Sequence, residues 1–185
     1  WRFIHIPKTG GTALTCTYPQ IVHGHPHATA SEVPNHVFKF TIIRNPFDRM
    51  VSLWAYQNRQ SDFLPVHHFR QWIREPTDHP LRPNVFLLSP QTTWVDDDTY
   101  FCLYDCYDEH LGKVLDYLSI PRKPIALKNV SKRTSTQWTD YYDPKTFDIV
   151  MQRYRKDVKL YYDLKHEPYP CKRDRVQGRF VPLPT

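Results

Sequence analysis

Glycine is scarce in this chain, five among 185 residues, and two of the five stand side by side in Pro7-Lys8-Thr9-Gly10-Gly11-Thr12. The apolar run of residues 3–6 feeds this hexapeptide, and Ala13-Leu14-Thr15-Cys16 leaves it as a short helix that ends before Pro19. Strand, glycine loop and helix in that order constrain the fold more than any other feature. Without Cβ atoms, Gly10 and Gly11 let backbone N–H groups close around an anion at the helix N-terminus, and Lys8, Thr9 and Thr12 add one charge and two hydroxyls. The order is not that of a Walker A loop, where the glycines precede the Lys.

The remaining pattern predicts an α/β fold. Residues 37–43 are nearly continuous apolar and β-branched, as a central strand covered on both faces would be. Asn45-Pro46 caps a helix whose buried stripe is Phe47, Met50, Val51 and Trp54. Further helices are expected over residues 66–74, around Leu111, Val114, Leu115 and Leu118, and from Asp143-Pro144 onward. This last helix is the longest, with Phe147, Val150, Met151, Tyr154, Val158 and Tyr161 on one face. Short strands are expected at residues 20–22 and 99–104. Strands alternating with helices imply a single domain over residues 1–168, a central parallel sheet with right-handed crossovers flanked by helices. Residues 169–185, Pro-rich and basic, read as a tail or surface wrap.

Charge narrows the partner. Lys and Arg number 25 against 19 Asp and Glu, for a net charge of +6. The surplus lies in residues 1–60, with six basic and two acidic side chains, and in residues 171–185, with four and one. An anionic partner follows, but not a continuous basic stripe interleaved with aromatics, so nucleic acid is disfavoured. Mean hydropathy is −0.63 and no apolar run approaches the roughly 20 residues of a membrane span. No leader-like segment opens the chain, so a cytoplasmic location is expected, with a trimmed luminal domain of the Golgi as the alternative. Cys16, Cys102, Cys106 and Cys171 do not form a disulfide framework; buried thiols are expected, with one bridge from Cys171 as the alternative.

Arg44 ends the central strand, where ligands of open α/β sheets bind, and its guanidinium suits a bidentate phosphate contact. Ser52, eight residues on, lies off the buried stripe and is expected to keep a free hydroxyl. His23-Gly24-His25-Pro26-His27 alternates its imidazoles as zinc ligands might, yet no suitably spaced Cys or carboxylate completes a metal set. A histidine that takes a proton from a nucleophilic hydroxyl is the other use of such a segment.

Residues 3–12 together with Ile43-Arg44-Asn45-Pro46-Phe47-Asp48-Arg49-Met50-Val51-Ser52 resemble the two cofactor signatures of the sulfotransferases that use 3′-phosphoadenosine 5′-phosphosulfate (PAPS). The carbohydrate branch that includes the heparan sulfate 2-O-sulfotransferases is the nearer likeness, and a P-loop-like sulfotransferase fold is what it implies. On this resemblance Lys8, Thr9, Gly10, Gly11 and Thr12 hold the 5′-phosphosulfate, Arg44 and Ser52 hold the 3′-phosphate, and Ser131, Lys132 and Arg133 cover the cofactor. The likeness also makes His25 the catalytic base, with His23 its neighbour, and Lys8 the cation at the leaving group. It implies sulfuryl transfer from PAPS to an acceptor hydroxyl, a carbohydrate's, by in-line displacement and without metal. A P-loop nucleotide kinase or NTPase and a non-catalytic binder of polyanions are the competing functions.

Overall fold

The computed structural model describes residues 1–22, 25–61, 65–75, 85–125, 133–167, 170–173 and 180–183. Among the described residues five strands form one mixed sheet in the order β1-β2-β3-β4-β5. The first three, β1 (Arg2–Ile4), β2 (Lys39–Ile43) and β3 (Thr99–Leu103), are parallel, with Ile4 beside Thr41 and Thr41 beside Phe101. Every residue of these strands is buried, as expected of strands with helices on both faces.

Alternation decides which helix covers which face. Phe3, Phe40, Ile42, Tyr100 and Cys102 point to one side, against Leu14 of α1 (Gly11–Thr17) and Leu111, Val114 and Leu115 of α5 (Tyr107–Tyr117). Ile4, Ile43, Phe101 and Leu103 point to the other, against Leu160, Tyr161 and Leu164 of α7 (Arg155–Leu164). A third cluster joins α2 (Pro46–Gln57), α3 (Val66–Arg74) and α6 (Pro144–Arg153) through Phe47, Val51, Trp54, Phe69, Ile73 and Val150. The short α4 (Val85–Leu88) lies between α3 and β3 in the chain.

The central parallel strands and flanking helices are those expected from the sequence, and four local expectations are corrected. Residues 20–22 are not a strand: Pro19–Ile21 is a 3-10 turn that buries Tyr18 and Ile21. The long helix after Asp143-Pro144 is two helices, broken at Tyr154, whose hydroxyl is drawn to the Leu88 carbonyl at 2.8 Å. The C-terminal segment enters the sheet: β4 (Cys171–Arg173) pairs antiparallel with β3 and β5 (Phe180–Pro182) with β4, so the sheet is mixed. Pro182, which has no N–H to donate, sits on the outermost strand, where none is needed. Lastly, all four cysteines are free, so Cys171 makes no bridge; Cys102 and Cys171 are buried but Cys16 and Cys106 are exposed. Burial pushes both buried thiols up, Cys171 to about 12. Among the described residues no helix is long and apolar enough to cross a membrane.

Candidate functional site

The site forms where β1 and β2 release their chains at the same edge of the sheet. After β1 the backbone turns through positive φ at Lys8 (68°) and Gly10 (88°) before α1 begins at Gly11. Gly10 suits such a conformation; Lys8 is there against its Cβ. The turn is closed from within, because Thr9 is fully buried and donates its hydroxyl to the Ile6 carbonyl at 2.9 Å. Thr9 therefore serves the loop's shape rather than offering a side-chain donor outward. Thr12 is exposed on the first turn of α1. A Cβ at Gly11 would lie 2.2 Å from Cδ2 of His5, so that ring would have to shift to admit a side chain.

Arg44 crosses from β2 to this loop. Its Nη1 donates to the Lys8 carbonyl at 2.9 Å, its Nε to Asp48 at 2.7 Å, and its plane covers the Tyr104 ring at 4.2 Å. Asp48 uses its second oxygen for Arg133, also at 2.7 Å. Burial resists ionisation of Asp48, but the two guanidinium groups outweigh it and hold the carboxyl below its usual range. Gln91 fixes Arg44 through the backbone, accepting its N–H at 3.0 Å and donating to its carbonyl at 2.8 Å. Gln91 is held in turn by Asp157, which accepts its N–H at 2.6 Å. Beneath the loop the wholly buried Arg49 donates to the Pro7 carbonyl and to the Leu87 carbonyl, each at 3.0 Å.

Lys8 completes the cationic group. Its ammonium sits 4.0 Å above the Tyr56 ring, which Arg59 also covers at 4.5 Å. Burial first, then the charges of Arg44, Arg133 and Arg59, push Lys8 down from 10.5 to about 8. The cations thus share one field, and the arrangement favours an anion with more than one charge. With only seven residues in α1, side chains rather than a helix dipole supply most of this field.

On the other side of the loop lie imidazoles. His27 approaches the His5 carbonyl through Nδ1 at 3.2 Å, and the two rings are 4.8 Å apart. Phe86 and Trp94 meet His27 edge-on at 5.3 and 6.2 Å. His25 is exposed; Arg2 donates to its carbonyl, and its Nδ1 accepts the His27 backbone N–H at 3.3 Å. Burial pushes His5 down to about 4, with the neighbouring His27 adding to the effect. Among the described residues no group of three His, Cys, Asp or Glu is arranged to hold a metal ion.

Residues 18–87 match the sulfotransferase family. The matched span begins after the glycine loop and takes in β2, Arg44, Ser52 and the histidine segment, and it supports sulfuryl transfer in general as the chemistry. No curated protein and no solved structure matches the chain. The α/β architecture, a mixed five-stranded sheet flanked by helices, is consistent with a sulfotransferase fold.

Of the sequence candidates, Lys8, Gly10, Gly11, Arg44 and Arg133 converge on this edge. Ser52, expected to keep a free hydroxyl, is buried at 4% exposure, one turn beyond Asp48 on α2. Ser131, Lys132, His23 and Gly24 lie outside the described residues. Sequence reasoning passed over Asp48, Arg49, Tyr56, Gln91 and His5 as parts of the site. The signals available were the spacing of Arg44 and Asp48, four residues apart with opposite charge, and the presence of His5, Asp48 and Arg49 within the two motifs. Nothing local marks Gln91 or Tyr56.

Proposed function

We propose that the protein transfers a sulfuryl group from PAPS to an acceptor hydroxyl, that of a carbohydrate as in the enzymes its two motifs resemble. The observation that carries this reading is the convergence of Lys8, Arg44 and Arg133 on the Gly10-Gly11 loop, in a chain whose matched span supports sulfuryl transfer. The residues fit a donor with two separated anionic ends: Lys8 and the loop N–H groups for the 5′-phosphosulfate, Arg44, Arg133 and the α2 turn bearing Ser52 for the 3′-phosphate. Bound there, PAPS supplies a sulfuryl group on an activated phosphosulfate linkage.

Lys8 then opposes the negative charge that grows on the bridging oxygen, in a partly desolvated position where such charge is felt strongly. Arg44, clamped by Gln91, fixes the far end so that nucleophile and leaving group lie in line. A histidine of the segment before β2 takes the acceptor's proton.

Calorimetric titration with 3′-phosphoadenosine 5′-phosphate (PAP) tests the assignment. The protein should bind it, and Arg44→Ala should weaken binding at least tenfold, the loss of one charge-assisted contact of about 1.5–3 kcal/mol. No binding, or Mg²⁺-dependent ATP hydrolysis at an enzymatic rate, would overturn the reading in favour of the kinase or NTPase alternative.

A further inference from the structure

Resting on that sulfuryl-transfer reading, we infer that His27, rather than His25, is the base that accepts the acceptor's proton.

A neutral imidazole has one N–H and one lone pair, so each hydrogen bond at one nitrogen fixes the state of the other. His27 Nδ1 lies 3.2 Å from the His5 carbonyl oxygen, which can only accept. Nδ1 therefore carries the proton, and the lone pair of His27 is on Nε2. His25 is in the opposite state: its Nδ1 accepts the His27 backbone N–H at 3.3 Å, so its lone pair is engaged and its proton is on Nε2. A hydroxyl that reaches Nε2 meets an acceptor on His27 and a donor on His25.

Placement favours the same residue. The His27 ring is half-buried among His5, Phe86 and Trp94, a packing that holds its direction, whereas His25 is exposed. The His5 ring in turn lies against Gly11, since a Cβ there would come within 2.5 Å of its Nε2. One imidazole thus separates His27 from the start of α1. That intervening ring is itself a poor base near neutrality, because burial leaves it with a pKa of about 4. In the step, the acceptor O–H bond breaks and its proton joins His27 Nε2. The acceptor oxygen forms the new O–S bond as the S–O bond to the 5′-phosphate breaks, the electron pair leaving on PAP. The imidazolium returns its proton to solvent.

Two measurements test this. In ¹⁵N-histidine-labelled protein at pH 8, imidazole ¹⁵N–¹H correlation spectra should show His27 protonated at Nδ1 and bare at Nε2, and His25 the reverse; exchanged tautomers overturn the assignment. The second uses His27→Asn, whose side-chain amide can still donate to the His5 carbonyl but has nothing in place of Nε2. With PAPS as donor and desulfated heparin as acceptor, turnover should drop by about 10²–10⁴-fold with PAP affinity within threefold of the unmodified protein, while His25→Asn loses less than tenfold. The reverse ranking rejects His27 and leaves the sulfuryl-transfer reading standing. An unmodified protein that neither binds PAP nor transfers from PAPS to desulfated heparin or water rejects that reading, and His27 with it.

Discussion

Arg44 and Asp48 meet at 2.7 Å, and the carboxylate that holds Arg44 also holds Arg133 at 2.7 Å from its other oxygen. One acidic group therefore holds two cations beside the loop before any anion arrives. Its charge also opposes an incoming phosphate. Asp48→Asn keeps the shape and removes the charge, so PAP should bind several-fold more tightly while the melting temperature falls, because two poorly solvated guanidinium groups lose their counter-charge. Calorimetry and thermal unfolding on the same preparation check both directions. Weaker PAP binding would show that the carboxylate does not act as an opposing charge.

Lys8 makes PAP binding sensitive to pH. With its pKa brought down to about 8, much of the folded protein lacks this proton at pH 9, and a bound bisphosphate restores it. Binding at pH 9 should take up a proton, measured as a calorimetric enthalpy that varies with the ionisation enthalpy of the buffer, and affinity should fall as pH rises through about 8. The unliganded fold shows the matching linkage. Between about 8 and the usual 10.5 the unfolded chain holds more protons at Lys8 than the folded one, so this residue makes stability rise with pH across that window. Lys8→Met should remove the proton uptake; uptake that persists would assign it elsewhere.

The parts of the site visible in the sequence are those whose chemistry is local. The glycine pair, Lys8 and the Arg44-Asn45-Pro46 helix start are dictated within a few residues, by Cβ clearance, capping and the fixed φ of proline. Gln91 and Asp157 were not legible, because each matters only through a partner dozens of residues away. The break at Tyr154 was hidden for a similar reason: the apolar stripe continues across it, and only the reach of its hydroxyl to Leu88 marks the place. Residues 171–173 and 180–182 looked like a tail because short, charged, Pro-containing strands carry little period-2 signal, and their pairing is supplied by the edge of β3.

Asp157 supports Arg44 from a distance. It is wholly buried and accepts the N–H groups of Gln91 and Thr92 and the Thr92 hydroxyl, at 2.6, 2.9 and 2.9 Å. Burial raises its pKa despite these bonds and the charge of Arg49. Asp157→Ala strands two backbone donors at once, at a cost of about 2–4 kcal/mol, and should lower the melting temperature by roughly 4–15 °C. Because Gln91 clamps Arg44, PAP affinity should fall as well, in protein shown to be folded at the assay temperature. An unchanged melting temperature would show that those donors find other partners.

Gly11 gives the most direct test of the contact between the loop and the imidazoles. Gly11 lies in α1 and its φ is not positive, so alanine would bring no left-handed strain; the obstacle is the His5 ring, 2.2 Å from the added Cβ. That ring cannot easily retreat, being stacked on Phe3 at 5.7 Å and beside His27 at 4.8 Å. Overpacking of this kind costs about 1–3 kcal/mol. Gly11→Ala should destabilise the protein by that amount on its own and by much less in a His5→Ala background, where the ring is gone. The difference between the two, read from denaturant unfolding as a double-mutant cycle, should be at least about 1 kcal/mol. An additive cycle would mean that His5 does not lie against the start of α1, and would remove the physical link between the glycine loop and the histidines beside it.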